Sequence, residues 1–220
     1  MWPLNDGEGA LVSEGTEQTP SLRILVVCSA NVCRSPVAAA MLNADFATLD
    51  LDSMVTVVSR GVSAMEGDQV CADAVALAGV SSFQHAAKRL TADDIAAADL
   101  ILTAEEVHRG AVVRLVPAAR RRTFTMLEAV SLGQWLALGS PLPEGFPLPK
   151  SPPPTDSPRA RLLWWVSELN ESRGLPALGG EIATNIHDAH ELGRIDHHTV
   201  VSQVRAATTF LATTIEAVAR

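Results

Sequence analysis

Leu22-Arg23-Ile24-Leu25-Val26-Val27-Cys28-Ser29-Ala30-Asn31-Val32-Cys33-Arg34-Ser35-Pro36 is the stretch from which the rest of the chain can be read. Residues 22–27 form a short apolar run rich in β-branched side chains, the pattern of a strand buried on both faces of a parallel sheet. The run leads straight into Cys28, and Pro36 opens an Ala-rich segment reaching about residue 48. Proline suits the first turn of a helix, where the donor it lacks would be unpaired anyway. The reading is therefore strand, loop, helix. A loop of successive backbone N–H groups feeding a helix N-terminus makes a concave, positively polarised nest for a tetrahedral oxyanion such as phosphate or sulfate. Arg34 adds a planar charged fork able to bind two of its oxygens. A thiol at Cys28 set against these donors is favoured as the thiolate, the form that attacks phosphorus, and Ser35 can donate a hydrogen bond to it.

Working outward, residues 54–59 give a second strand closed by Gly61, and residues 68–78 a helix stopped by Gly79. Thr91-Ala92-Asp93-Asp94 is a capping-box-like helix start, and residues 100–103 read as a third buried strand. A helix over 105–115, a short strand over 123–126 and a helix over 127–138 follow. This alternation predicts an α/β fold: a four-stranded parallel sheet flanked by helices on both faces, with the phosphate loop after the first strand. Eight of the thirteen prolines fall within 141–158, so that segment reads as an irregular, extended insertion. A helix over 159–173 carries Trp164 and Trp165. A last helix over 197–218 puts Val201, Val204, Ala207, Phe210, Leu211 and Ile215 on one stripe.

With 220 residues, 47% of them hydrophobic and 19% charged, the chain is long enough to bury roughly 70% of its unfolded surface. It lacks the run of about 20 apolar residues that a membrane helix requires. The net charge of −8 argues against sequence-independent nucleic-acid binding, which needs a cationic surplus. Residues 1–20 carry Asp6, Glu8, Glu14 and Glu17 with no Lys or Arg, and read as a disordered acidic tail ahead of one domain over 21–220. That start has neither the basic nor the apolar stretch of a secretory signal. Three cysteines, Cys28, Cys33 and Cys71, are too few and odd for a disulfide scaffold, which fits a reducing, cytoplasmic location. Cys71, among Ala and Val, reads as a core filler.

The spacing Cys-x5-Arg-Ser-Pro behind an apolar strand resembles the low-molecular-weight protein tyrosine phosphatases. That family's loop usually reads Cys-x-Gly-Asn-x-Cys-Arg-Ser-Pro, so Asn31, Cys33, Arg34, Ser35 and Pro36 match, Ser29 and Val32 fill the variable positions, and Ala30 departs. An alanine forced to positive φ there would be strained. Ser59 and His85 match a serine and a histidine that support the loop asparagine, here Asn31. Asp99-Leu100-Ile101-Leu102 resembles the family's third strand, and the likeness covers about 22–128 and 183–218, with the Pro-rich insertion and extra helix at about 139–182 outside it.

The resemblance implies hydrolysis of phosphomonoesters through a phosphocysteine at Cys28, with Arg34 and the loop amides binding the phosphoryl oxygens and with no cofactor or metal required. The family's general acid is the aspartate of an Asp-Pro-aromatic motif ahead of the last helix. Asp188-Ala189-His190 stands in that place, so Asp188 is the expected acid and His190 the expected pocket rim. Ala189 should make this segment less rigid than the family's proline does. The chain contains no tyrosine; Trp164 or Trp165 could supply an aromatic wall, although a pair on an amphipathic helix is more often core. The implied substrate is a phosphotyrosine-containing protein, a tyrosine kinase among the candidates. Cys33 would pair with Cys28 in a protective disulfide under peroxide.

Rival readings carry less. His187, His190, His197 and His198 with Asp188 and Asp196 suggest a metal cluster, and Asp196-His197-His198 matches the triplet of certain metal-dependent phosphoesterases. Those enzymes place it early, whereas here 22 residues follow His198. Arsenate reduction on the same fold needs further cysteines to relay a disulfide, and Cys71 alone supplies no pair. A non-catalytic phosphate-binding relative would keep the loop without turnover. Arg120, Arg121 and Arg122 read as a solvated turn.

Overall fold

β1 (Leu22–Cys28) is the middle of the structure because its side chains are apolar on both faces. Ile24, Val26 and Cys28 join one core cluster, and Leu25 and Val27 join another on the opposite side. The computed structural model describes residues 22–80, 83–138, 153–174, 183–191 and 195–220. The acidic tail expected at 1–20 and most of the Pro-rich segment lie outside the described residues.

β1 pairs in parallel with β2 (Val55–Gly61) on one side and β3 (Leu100–Thr103) on the other, and β3 pairs in parallel with β4 (Thr123–Thr125), giving the order β2-β1-β3-β4. The α/β architecture is the one the alternation predicts. α1 (Arg34–Thr48), α2 (Ala72–Ala78), α5 (Met126–Leu138), α6 (Pro158–Glu171) and α7 (His197–Ala219) contribute to the larger core, on the Cys28 side of the sheet. α3 (Ala92–Ala97), α4 (Glu106–Leu115) and a 3-10 turn over Pro117–Arg122 cover the other face through Ile95, Val112 and Ala119. Among the described residues no helix is long and apolar enough to cross a membrane.

The elements differ from the sequence reading at their edges, for local reasons. α1 starts at Arg34, so Pro36 is its third residue; the amide missing there still belongs to the four a helix leaves unpaired. α2 starts at Ala72 rather than 68, because the Cys71 N–H is spent on Val32 O at 2.6 Å, tying the residues before α2 to the phosphate loop. Gly79 ends α2 at φ 60, a left-handed cap that glycine adopts without steric cost. Trp165 is 3% exposed within the larger core and Trp164 packs against it, so the tryptophan pair helps seat α6 and is not an aromatic wall for a ligand. The start of α6 is pinned to the sheet by a two-bonded ion pair, Arg159 to Asp99, at 2.8 Å through each nitrogen.

The strand order has a functional consequence. The chain leaves β1 towards β2 on one side and returns to β3 on the other, so the connections after β1 and β3 diverge. Open α/β sheets bind ligands in the crevice so formed, outside the carboxyl ends of the strands. Cys28 ends β1 and Ala104-Glu105 follows β3, so both lie at that crevice.

Candidate active site

Cys28 is 2% exposed at the end of β1, with its Sγ 2.9 Å from Ser35 Oγ. Ser35 is in turn held by Asn31, whose Nδ2 donates to Ser35 Oγ and to Ser59 Oγ, each at 3.0 Å. His85 Nε2 donates to Asn31 O at 2.7 Å, and the Lys88 N–H donates to Asn31 Oδ1 at 2.9 Å. Asn31 is fully buried, and these bonds hold it in the left-handed region at φ 58, which asparagine tolerates better than most residues. Among the described residues the only other non-glycine at positive φ is Asp50, so the strain expected at Ala30 is absent; the loop turns at Asn31 instead.

Gly61 explains how closely β2 can approach this loop. A Cβ there would lie 2.5 Å from Ser29 O, 2.8 Å from Asn31 N and 2.9 Å from Ala30 C. Those are backbone atoms that cannot rotate aside. The α1 N-terminus that follows has no side-chain cap and no acidic residue in its first turn, leaving its positive end open to an anion.

Arg34 is 2% exposed. Its Nη1 pairs with Glu105 and donates to Ile186 O at 3.0 Å, while Nη2 reaches Asp188 Oδ2 at 2.6 Å and Ser29 Oγ at 3.2 Å. Asp188 Oδ1 accepts from the His190 N–H at 3.0 Å. Two carboxylates thus share one guanidinium across the mouth of the loop. His108 completes this side. Its Nδ1 accepts from the Glu105 N–H at 3.2 Å and its Nε2 lies 2.8 Å from Ser29 Oγ. Burial, with Arg34 nearby, pushes His108 down to about 4, so the ring is neutral and its one proton sits on Nε2. Ser29 Oγ therefore accepts from both His108 and Arg34, which leaves the hydroxyl proton free to point into the loop.

A model of the low molecular weight phosphotyrosine protein phosphatase family matches residues 23–136. The low molecular weight protein-tyrosine-phosphatase Ptp of Acinetobacter johnsonii is 34% identical over 112 residues, covering 51% of this chain and 72% of that one. This chain belongs to the low molecular weight phosphotyrosine protein phosphatase family. A protein-arginine-phosphatase of Geobacillus stearothermophilus is likewise 34% identical, over 111 residues, covering 50% of this chain and 72% of its own length. The crystal structure of the Erwinia amylovora tyrosine phosphatase AmsI shares the fold, with a TM-score of 0.56, 23% identity and coverage of 88% of this chain and 92% of that one.

Within this phosphatase-family site, Cys28, Ser35, Asn31, Ser59 and His85 form one bonded network, and Arg34 and Asp188 form a second one with Ser29 and Glu105. Ala30 and Val32 complete the turn, Val32 packing against the larger core. His190 lies elsewhere: its ring meets that of His197 edge to face at 4.8 Å, and it and His197 gather with Cys33 and Cys71. Burial, reinforced by Cys71 and Cys28, pushes the Cys33 thiol up to about 12, so it stands protonated at neutral pH. Glu105 and His108 are given no site role by the sequence reading, and Gly61 appears there only as the end of a strand. The signal for the first two was their position just past β3, at the carboxyl end of the strand beside β1.

Proposed function

We propose that this phosphatase-family chain hydrolyses phosphomonoesters on protein tyrosine through a phosphocysteine at Cys28. The observation that carries the reading is the Cys28 sulfur held 2.9 Å from a hydroxyl donor inside a loop whose Arg34 is gripped from both sides by carboxylates. An arriving phosphoryl group takes Arg34 Nη2 from Asp188 and accepts the free proton of the Ser29 hydroxyl. That exchange releases the Asp188 carboxyl beside the leaving oxygen. Attack by the Cys28 thiolate forms the S–P bond as the P–O bond to the tyrosine breaks, and protonated Asp188 donates its proton to the phenolic oxygen. Asp188 then takes a proton from water, whose oxygen attacks phosphorus, frees inorganic phosphate and returns the electron pair to sulfur. Ser35 stabilises the departing thiolate. Arg34 and the α1 amides bear the equatorial charge in both steps.

Kinship supports the covalent step. A solved structure of a mutant of the arginine phosphatase YwlE, in which serine replaces the active-site cysteine, carries a phosphorylated active-site serine; this chain shares its fold at a TM-score of 0.59 and 19% identity. The same kinship gives a second reading, phosphoarginine as substrate, since a relative of equal identity acts on it by name. A tyrosine kinase is the partner class favoured by the tyrosine reading. A cytoplasmic location belongs to the proposal and rests on the three free cysteines, whose thiols the chemistry needs reduced.

The test is hydrolysis of para-nitrophenyl phosphate by the full chain, abolished in Cys28→Ser, followed by peptides carrying phosphotyrosine, phosphoserine or phosphoarginine. Preference for phosphotyrosine is the expected outcome. Preference for phosphoarginine would move the assignment to the second reading, and phosphate binding without turnover would reduce the chain to a binding relative.

A further inference from the structure

Cys33, Cys71, His190 and His197 each offer one donor atom, and the four atoms all lie within 4.8 Å of one another. Cys71 Sγ and His197 Nε2 are 3.3 Å apart. Two thiols and two imidazoles form the donor set that tetrahedral zinc prefers, and its bond lengths require donor-to-donor edges of roughly 3.3–3.8 Å. One edge already has that length, and the remaining edges are at most 4.8 Å. We propose that this cluster is a zinc site, separate from the nucleophile, which fastens the segment carrying Asp188 to the phosphate loop.

The placement of the four residues favours a built site over a chance encounter. They come from four separate parts of the chain: Cys33 is the residue before α1, Cys71 the residue before α2, His190 lies two residues past Asp188, and His197 is the first residue of α7. Three of these positions are fixed by backbone. The Cys33 O accepts from the Val37 N–H at 3.2 Å, the Cys71 N–H is bonded to Val32 O, and α7 is started by Asp196, whose Oδ1 accepts from the Thr199 N–H at 2.7 Å. His190 is the exposed member and provides the entry path, while Cys33 is buried.

Charge also balances. Binding exchanges two thiol protons for one Zn²⁺, and two thiolates with a divalent ion leave the cluster neutral, so the buried Cys33 sulfur carries no uncompensated charge. Neither Cys28 nor Arg34 belongs to the set, so occupancy leaves the nucleophile and the anion fork in place. Because Asp188 Oδ1 is bonded to the His190 N–H, a metal on His190 restrains the acid through its own turn.

The experiment titrates the chelator-stripped full chain with Zn²⁺ against a chromophoric chelator and with Co²⁺ as a spectroscopic probe. One ion per chain is expected, with the visible bands of a tetrahedral Co²⁺ and charge transfer from two thiolates. The unfolding midpoint should rise with zinc concentration, because the metal binds the folded state. Loss of a ligand in Cys71→Ser or in His197→Gln should weaken zinc by more than about 100-fold, the upper range seen on losing an outer-shell partner alone. Two variants are used so that a folding defect in one leaves the other informative. Cys28→Ser should bind as tightly as the unmodified chain with the same two-thiolate spectrum. Less than one ion per chain, equal affinity in the unmodified chain and both ligand variants, or binding lost in Cys28→Ser would overturn the proposal, the last by placing zinc on the nucleophile. None of these readouts depends on phosphatase activity.

Discussion

Asp188→Ala should bind inorganic phosphate more tightly than the unmodified chain while catalysing more slowly. In the unliganded site, Asp188 Oδ2 occupies Arg34 Nη2 at 2.6 Å, the donor a phosphoryl oxygen needs. An anion must displace that contact before it binds. A hydrogen bond between charged groups is worth roughly 1.5–3 kcal/mol net. At about 1.4 kcal/mol per decade, removing the competitor should tighten phosphate by roughly tenfold to a hundredfold. Like-charge repulsion acts in the same direction, since a carboxylate about 5 Å from a phosphate charge costs about 3 kcal/mol at an effective dielectric of about 20. Turnover should move the opposite way, falling by about 10²–10⁴ for phenyl phosphate, whose poor leaving group needs the proton, and much less for para-nitrophenyl phosphate.

The assay is the competitive inhibition constant of inorganic phosphate, measured against para-nitrophenyl phosphate in both proteins, with calorimetry as a direct check. An unchanged or weaker constant in Asp188→Ala would refute the displacement argument. It would mean that the Arg34–Asp188 contact is not retained in solution, or that Asp188 itself helps hold the anion.

Gly61→Ala should cost roughly 1–3 kcal/mol of stability by overpacking against the loop backbone 2.5–2.9 Å away, and a loop shift of about 1 Å should cost about 10² in kcat; thermal unfolding and steady-state rates measure both, and a variant unaltered in each would contradict the close approach. His108, held near 4 in the folded chain against about 6.5 when unfolded, takes up its proton in the unfolded state first, so stability should fall as pH drops from about 6.5 to 4, by up to about 3 kcal/mol. Urea midpoints across that range should be flatter in His108→Gln, and an identical pH slope would remove His108 from the account.

The fold was readable because β1 states its environment outright: six apolar or amphipathic residues ahead of Cys28, with no alternation, fit only a strand covered on both sides. Cys28, Asn31, Arg34 and Ser35 are contiguous, so their spacing alone places them on one loop. Ser59 and His85 became legible only through family likeness, since nothing local ties a serine at the end of β2 to an asparagine 28 residues earlier. Glu105 and His108 were missed for a related reason. Side by side with Glu106 at the start of α4, Glu105 looks like ordinary helix-start chemistry. Only the register of β3 against β1 turns it towards Arg34, and register is a tertiary property. The Cys33–Cys71–His190–His197 cluster is the extreme case. Its members were each noticed, but the sequence grouped the histidines with neighbouring aspartates, while the fold pairs two of them with cysteines more than a hundred residues away.

How Asp188 could pair with Arg34 and still serve as the proposed acid follows from the residue two places before it. Ile186 is fully buried in the larger core. Its N–H donates to Ala104 O at 2.8 Å, just past the end of β3, and its carbonyl accepts from Arg34 Nη1 at 3.0 Å. The backbone there is tied by one bond to the end of β3, by one to Arg34 at the start of α1, and by an apolar anchor, which holds it in place. Beyond it, Asp188 is half-buried and His190 exposed, and the proline that stiffens this turn in the family is replaced by Ala189. Anchored at one end and loose at the other, the acid can be displaced from Arg34 by a swing of one or two residues without disturbing the core. A ligand that fixes His190, as zinc would, shortens that swing from the far side. With zinc in place, the rate of acid release and the occupancy of the Cys33 cluster would be coupled through a turn of three residues.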